Sequence, residues 1–249
     1  SNIGADILRK GGNAVDAAVA VGYALAVVLP RAGNLTGGGF MLIHLKELNK
    51  TIAIDYRETA PAAAFDDMFL NDQRDIIEDK SLETLSSAGI PGTVAGLNHA
   101  LEKYGTLPLS EILAPAIELA KNGIVVTDDM VRILTKSAEL LQKNAESCRV
   151  FFKSSCQMYQ ANEVLKQPDL YNTLTYLSEQ GTQGFYQGKI AKKIASAMEQ
   201  GDGLITLADL ANYNVKEVVP VKGTFNGYEI FSMPPPSSGG VHLVQMLNM

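Results

Sequence analysis

Thr51-Ile52-Ala53-Ile54-Asp55-Tyr56-Arg57-Glu58-Thr59-Ala60-Pro61 starts as a short apolar run and ends on charge and proline. The run reads as a β-strand. Alternate residues of a strand share a face, so Ala53, Asp55 and Arg57 point one way and Ile52, Ile54 and Tyr56 the other. An arginine is therefore expected at the mouth of the strand, where rigid backbone presents the planar donor fork of a guanidinium to a carboxylate. The same spacing allows a plainer arrangement, in which Arg57 pairs with Asp55 on its own face or with Glu58 across a bend.

Just upstream, Phe40 to Leu45 is a second apolar run, joined to the first through a Leu48-Asn49-Lys50 turn. Both runs are apolar on both faces, so their sheet is expected to be covered on both sides. The segment Ala32 to Gly39 is glycine-rich. A helix leads into it, a strand leads out, and no Gly-Lys-Ser/Thr ending is present, which excludes a phosphate cradle. Its glycines are expected to serve close backbone packing or positive φ. Further upstream, Ile3 to Arg9 reads as a helix stopped at Gly11-Gly12. Asn13 suits the N-cap of a following Ala14–Leu29 helix, with Asp16 in its first turn favoured by the helix dipole, and Pro30 ends it.

Downstream, Pro61 to Leu85 is polar and irregular. Helical spacing then predicts helices from Thr93 to about Tyr104, from a Ser110 cap to about Asn122, from Met130 to Ala145, from Glu163 to Gln180 and from Ile190 to Gln200. Strands return at Val218–Val221 and Tyr228–Phe231. Runs of helix after an initial hairpin read as a layered α+β fold.

A chain of 249 residues can bury a sizeable core, and residues 1–249 are expected to form a single domain. An apolar share of 46% against a charged share of 19% is that of a globular protein. Net charge is -6, from 21 basic and 27 acidic residues, and the basic residues are scattered. No nucleic acid or anionic membrane surface is expected as a partner. The Ala14–Leu29 run is too short to span a bilayer comfortably and carries Asp16. No His-x-x-x-His, metal-spaced cysteine pair or calcium-loop pattern occurs, so no metal is expected. His44, His99 and His242 lie far apart without an acid partner at useful spacing and read as structural. Cys148 and Cys156 either form a local disulfide in an exported protein or remain two thiols. The Pro234-Pro235-Pro236-Ser237-Ser238-Gly239-Gly240 segment lacks the Gly-x-Ser-x-Gly of a nucleophile elbow and reads as stiff scaffold. No charged-then-apolar leader opens the sequence. It breaks off at Leu247-Asn248-Met249 inside a helical pattern, so both natural ends are expected to lie outside it.

Four segments carry a resemblance when read in order: Gly11-Gly12-Asn13-Ala14-Val15-Asp16-Ala17-Ala18, Ala32-Gly33-Asn34-Leu35-Thr36-Gly37-Gly38-Gly39-Phe40-Met41, Asp55-Tyr56-Arg57-Glu58-Thr59-Ala60-Pro61, and Met233-Pro234-Pro235-Pro236-Ser237-Ser238-Gly239-Gly240-Val241-His242. Together they resemble the large subunit of gamma-glutamyltranspeptidases, which are N-terminal-nucleophile hydrolases, and the resemblance runs from Gly4 to Met249. It implies a four-layer αββα sandwich, with this chain supplying part of both sheets and most of one helical flank. In that family the precursor cuts itself, and the new N-terminal threonine of the small subunit is the nucleophile, with its own α-amine as base. No threonine here matches it, so no catalytic residue is expected in this chain; the nucleophile and the oxyanion-hole glycines are expected beyond Met249.

Arg57 matches the family's arginine that holds the α-carboxylate of the γ-glutamyl group. The implied partners are a small subunit carrying the nucleophile, glutathione or another γ-glutamyl compound, and an acceptor amino acid or peptide, with no metal and no cofactor. The family's usual export implies the periplasm or the cell exterior. Where the family has glycine this chain has Thr36, which puts a β-branched side chain where the loop is expected to need an unusual backbone angle. Two other readings are a cephalosporin or glutaryl acylase of the same superfamily, and a non-catalytic scaffold paralogue without the nucleophile. Arg57 within Asp-Tyr-Arg-Glu favours the gamma-glutamyltranspeptidase over the acylase.

Overall fold

The computed structural model describes residues 1–249. Two helices, α1 (Asn2–Arg9) and α2 (Ala14–Val28), lead into a hairpin of β1 (Phe40–Leu45) and β2 (Lys50–Asp55). A turn-rich stretch holds only the short α3 (Lys80–Glu83). Then come α4 (Thr93–Tyr104), α5 (Leu109–Asn122), β3 (Ile124–Val125), α6 (Asp128–Gln142), α7 (Ala145–Phe151), β4 (Val164–Leu165), α8 (Pro168–Tyr186), α9 (Lys189–Gln200) and α10 (Leu207–Ala211). The chain closes with β5 (Lys216–Val218), β6 (Val221–Phe225), β7 (Tyr228–Ser232) and α11 (Gly239–Leu247). No helix is long and apolar enough to cross a membrane.

The hairpin sets the frame of the molecule. β1 and β2 pair antiparallel from Phe40↔Asp55 to Leu45↔Lys50, and β5 adds to the far side of β2 with Asp55 opposite Lys216. The other strands form two separate two-stranded sheets, β3-β4 and β6-β7. Burial of the hairpin on both faces holds for β2, where Ile52, Ala53 and Ile54 are all buried. It does not hold for β1. That strand is the edge of its sheet, and Leu42 and His44 alternate outward into solvent around the buried Ile43.

One apolar cluster runs from α1 and α2 through β2, α4, α5 and α8 to Leu210 of α10. α2 is apolar on every side, and such a helix is stable only when surrounded; α1, α4 and α5 surround it. Asn13 caps it as expected. Its Oδ1 accepts from the Val15 and Asp16 N–H groups, and Asp16 accepts the Asn13 N–H at 2.7 Å. A cap of this kind is worth about 1 kcal/mol. Asp16 does more than favour a dipole. Fully buried, it also accepts the Thr106 N–H and hydroxyl and the Leu107 N–H, tying the start of α2 to the end of α4. Burial pushes its carboxyl up, but these four bonds outweigh burial and leave it below the usual range. Deeper in, the Tyr23 hydroxyl donates to Asn98 Oδ1 at 2.6 Å and Asn98 Nδ2 donates to Thr182 Oγ1 at 2.9 Å, a satisfied polar chain across α2, α4 and α8.

Several helix boundaries differ from the sequence reading, each for a local reason. Ser110 does not cap α5; Pro108 precedes the first turn and no side chain caps it. The helix expected over Met130–Ala145 starts at Asp128 and ends at Gln142, and a separate α7, which the sequence reading did not contain, follows it. Thr127 starts α6 early by accepting the Met130 N–H, and Asn144 begins α7 by accepting the Ser147 N–H. The Glu163–Gln180 stretch opens as a strand instead, because Val164 and Leu165 pair with Val125 and Ile124. The helix there begins at Pro168, whose fixed φ suits a first turn; Gly181, at φ 60° and ψ −154°, breaks it just after the expected end at Gln180, and a second helical stretch continues to Tyr186. Cys148 and Cys156 are joined as a disulfide, with Cα atoms 5.4 Å apart.

Candidate functional site

Arg57 emerges where the hairpin ends. The β1–β2 ladder is carried one residue further by Tyr56 N–H to Gly39 O at 3.0 Å and Gly39 N–H to Tyr56 O at 3.2 Å. Tyr56 turns inward and is buried, so its neighbour Arg57 is turned out and exposed. The Arg57 backbone is held on both sides: its N–H donates to Asp55 Oδ1 at 3.0 Å, and its carbonyl accepts the Tyr213 hydroxyl at 2.9 Å. The guanidinium is treated differently. No carboxylate lies within 4.0 Å of it, and the Phe40 ring lies 6.0 Å from Cζ to centroid. The plainer pairing with Asp55 or Glu58 is absent, since Asp55 uses its carboxylate on the backbone.

The glycine-rich loop forms the wall beside this residue. None of Gly33, Gly37, Gly38 and Gly39 has positive φ; close approach is their use. A Cβ on Gly38 would stand 2.6 Å from the Tyr56 carbonyl, and one on Gly39 would stand 2.8 Å from the Tyr56 ring. The start of α4 closes on the same loop, with the Gly92 and Thr93 N–H groups both donating to Gly37 O at 2.8 and 2.9 Å. Thr36 is exposed, also keeps φ below zero, and its hydroxyl donates to Asn34 Oδ1 at 3.1 Å. The unusual backbone angle expected there is not needed, because the loop turns without it.

The stretch after Arg57 is tied down by residues far away in sequence. Ile90 N–H donates to Thr59 O at 2.8 Å, and Ala62 N–H donates to Asp209 Oδ1 at 2.9 Å. Asp209 also completes a capping box with Thr206 at the start of α10. Sequence reasoning placed Arg57 but missed Tyr213 and Asp209. Tyr213 carries no local signal, whereas Thr206 and Asp209 have the spacing of a capping box and were open to detection.

β5 is anchored by a cluster that lay beyond sequence reach. His99 Nε2, Lys103 Nζ and the Tyr104 hydroxyl, all on α4, converge on Glu217 Oε1 at 2.8, 3.0 and 2.9 Å. His99 thus has an acid partner, 118 residues along the chain. Burial pushes the Glu217 carboxyl up, but the three donors outweigh it and bring it down to about 2. A folded value below the unfolded one means that this stabilisation is complete above about pH 4.5 and is lost as pH falls towards about 2. Melting temperatures of the parent and of Glu217→Gln are therefore expected to differ at neutral pH and to converge on acidification over that window. A gap that stays constant with pH would contradict this account of the cluster.

The family model described as Gamma-glutamyltranspeptidase matches residues 1–249. The glutathione hydrolase proenzyme of Escherichia coli (strain K12) is 50% identical over 250 residues, covering 100% of this chain and 43% of that protein. The crystal structure of Helicobacter pylori gamma-glutamyltranspeptidase superposes with a TM-score of 0.97 at 47% identity, covering 100% of this chain and 71% of that one. The Acylase ACY 1 proenzyme of Pseudomonas sp. (strain V22) is more distant, 37% identical over 255 residues, covering 100% of this chain and 45% of the acylase. The chain thus spans less than half the length of the curated relatives it matches. Its fold is that of the large-subunit part of an N-terminal-nucleophile hydrolase, as the sequence resemblance implied.

Proposed function

Because the chain belongs to the gamma-glutamyltranspeptidase family, we propose that it is the substrate-clamping part of an enzyme that cleaves the γ-glutamyl amide of glutathione. The glutamyl group passes to water or to an acceptor amino acid or peptide. A threonine hydroxyl supplied by the small subunit attacks the amide carbonyl and gives its proton to its own α-amine; the C–N bond then breaks, the proton passes to the departing cysteinylglycine amine, and an acyl-enzyme remains. Arg57 holds the α-carboxylate of the glutamyl group meanwhile. The observation that supports this role is the contrast at Arg57: backbone held at both N–H and carbonyl, guanidinium without a carboxylate partner. A planar fork on fixed backbone is suited to a two-pronged bond with a carboxylate. Export to the periplasm or exterior belongs to the same proposal, supported by the Cys148–Cys156 bridge, since disulfides persist in oxidising compartments.

The test is an assay of the complete protein with γ-glutamyl p-nitroanilide, read beside a denaturing gel. Release of p-nitroaniline and two fragments are expected. Residues 1–249 alone are expected to release nothing above background, because neither nucleophile nor oxyanion hole is supplied by them. A single uncut chain without release from the complete protein would favour the scaffold reading instead.

A further inference from the structure

From α10 to the turn before β5, a short segment reaches the Arg57 loop at two points. The Tyr213 hydroxyl donates to the Arg57 carbonyl at 2.9 Å, and Asp209 accepts the Ala62 N–H at 2.9 Å. The segment Arg57–Ala62 is thus bracketed at its first and last residues by one short stretch of the chain, and Thr59 between them is bonded to Ile90. The segment is itself firm. Asp209 is buried and closes the α10 cap, Tyr213 N–H donates to Leu210 O, and the Tyr213 ring stacks on Tyr186 with centroids 5.7 Å apart and planes 10° apart. Tyr186 is buried, and its hydroxyl donates to the Pro91 carbonyl at 2.7 Å, at the entrance to α4. A continuous relay therefore runs from the α4 entrance through two tyrosine rings to the carbonyl of Arg57.

We propose that Tyr213 is a positioning residue for Arg57, fixing the root of the guanidinium so that its fork meets the substrate carboxylate in one orientation. This rests on the clamp role given to Arg57 above. The physical argument is one of pre-organisation. An exposed arginine has several rotatable bonds, and a mobile Cα would add to the freedom lost on binding. With N–H and carbonyl both held, only the side chain remains to be ordered. Tyr213 can only donate here if it stays protonated, and burial together with the nearby Asp55 and Glu58 charges raises its phenol well above the usual range. Its hydroxyl touches backbone rather than a substrate-facing group, so its effect passes through Arg57 and not through the chemistry.

Tyr213→Phe in the complete enzyme keeps the ring stacked on Tyr186 and removes only the hydroxyl. KM for γ-glutamyl p-nitroanilide is expected to rise about 3- to 10-fold, the range of one lost hydrogen bond, with kcat changed less. KM for 4-aminobutanoyl p-nitroanilide, which lacks the α-carboxylate, is expected to stay where it was. A purely structural hydroxyl would lower the melting temperature and leave both KM values unmoved, which would overturn the proposal. So would an equal rise for both substrates. Arg57→Ala, measured with the same pair, separates the two layers of the argument. If it impairs both substrates equally, the clamp itself is wrong and the positioning role falls with it. If it is selective for the carboxylate while Tyr213→Phe is not, the clamp stands and the positioning role alone is overturned.

Discussion

Arg57→Ala in the complete enzyme is expected to cost about 2–5 kcal/mol in kcat/KM for a γ-glutamyl substrate, the loss typical of removing one partner of a hydrogen-bonded charge pair. Arg57→Lys should fall between parent and alanine, because the charge survives but the two-pronged fork does not. Neither change should disturb stability much. The guanidinium has no carboxylate within 4.0 Å to be left orphaned, and its contact with the Phe40 ring lies at the outer limit of a cation–π interaction. Self-cleavage into two subunits should also be spared, since that step acts on the peptide backbone and involves no substrate carboxylate. A large drop in melting temperature, with poor maturation and a normal KM in whatever enzyme survives, would mean that Arg57 is structural after all.

The second large effect is expected at Gly92. Its φ of −116° and ψ of −21° are open to any residue, so conformational freedom is not what glycine provides there. Space is. A Cβ would stand 1.9 Å from the Tyr56 carbonyl oxygen and 2.3 Å from the Tyr213 hydroxyl. The carbonyl cannot swing aside, because it accepts the Gly39 N–H, and Gly92 cannot retreat, because its own N–H donates to Gly37 O at 2.8 Å. Overpacking usually costs about 1–3 kcal/mol, and a fixed backbone carbonyl beside a hydrogen-bonded hydroxyl puts this case at about 3. For a chain of this size that is a fall of roughly 6–12 °C in melting temperature. Because the obstructed atoms flank Arg57, carboxylate-dependent binding should suffer alongside. Calorimetry of Gly92→Ala checks the first part, and a melting temperature equal to the parent's would show that the loop, Tyr56 and α4 are not locked together as described.

How much of this was legible beforehand depended on how local each signal was. The hairpin at residues 40–55, the Asn13 cap and the extent of α4 follow from two short apolar runs around a turn, cap chemistry and the Pro91-Gly92 start, all within a few residues of the feature they define. The strand β4 was missed because Val164 and Leu165 extend only to pair with Ile124 and Val125, a partnership invisible in a window of helical spacing. α6 was carried past Gln142 to Ala145 and α7 was not read, because the signal that separates them is the single Asn144 side chain that starts a new helix. Arg57 was singled out from strand phase and motif, but its unpaired guanidinium was not foreseen, since spacing alone allowed Asp55 to take it. What decides the matter is that Asp55 turns back to its own backbone and that Tyr213 arrives from 156 residues away. Contacts of that length leave no periodic trace in a sequence.

The most direct test of the clamp is a cycle between Arg57 and the substrate carboxylate, using the complete enzyme. kcat/KM is measured for γ-glutamyl p-nitroanilide and for 4-aminobutanoyl p-nitroanilide, with the parent and with Arg57→Ala. The parent is expected to prefer the first substrate by roughly 30- to 4,000-fold, the equivalent of about 2–5 kcal/mol. In Arg57→Ala that preference should shrink to near unity, because the variant and the truncated substrate each remove one half of the same contact. A preference that survives intact in Arg57→Ala would mean that another group reads the carboxylate, and the role given to Arg57 would be wrong.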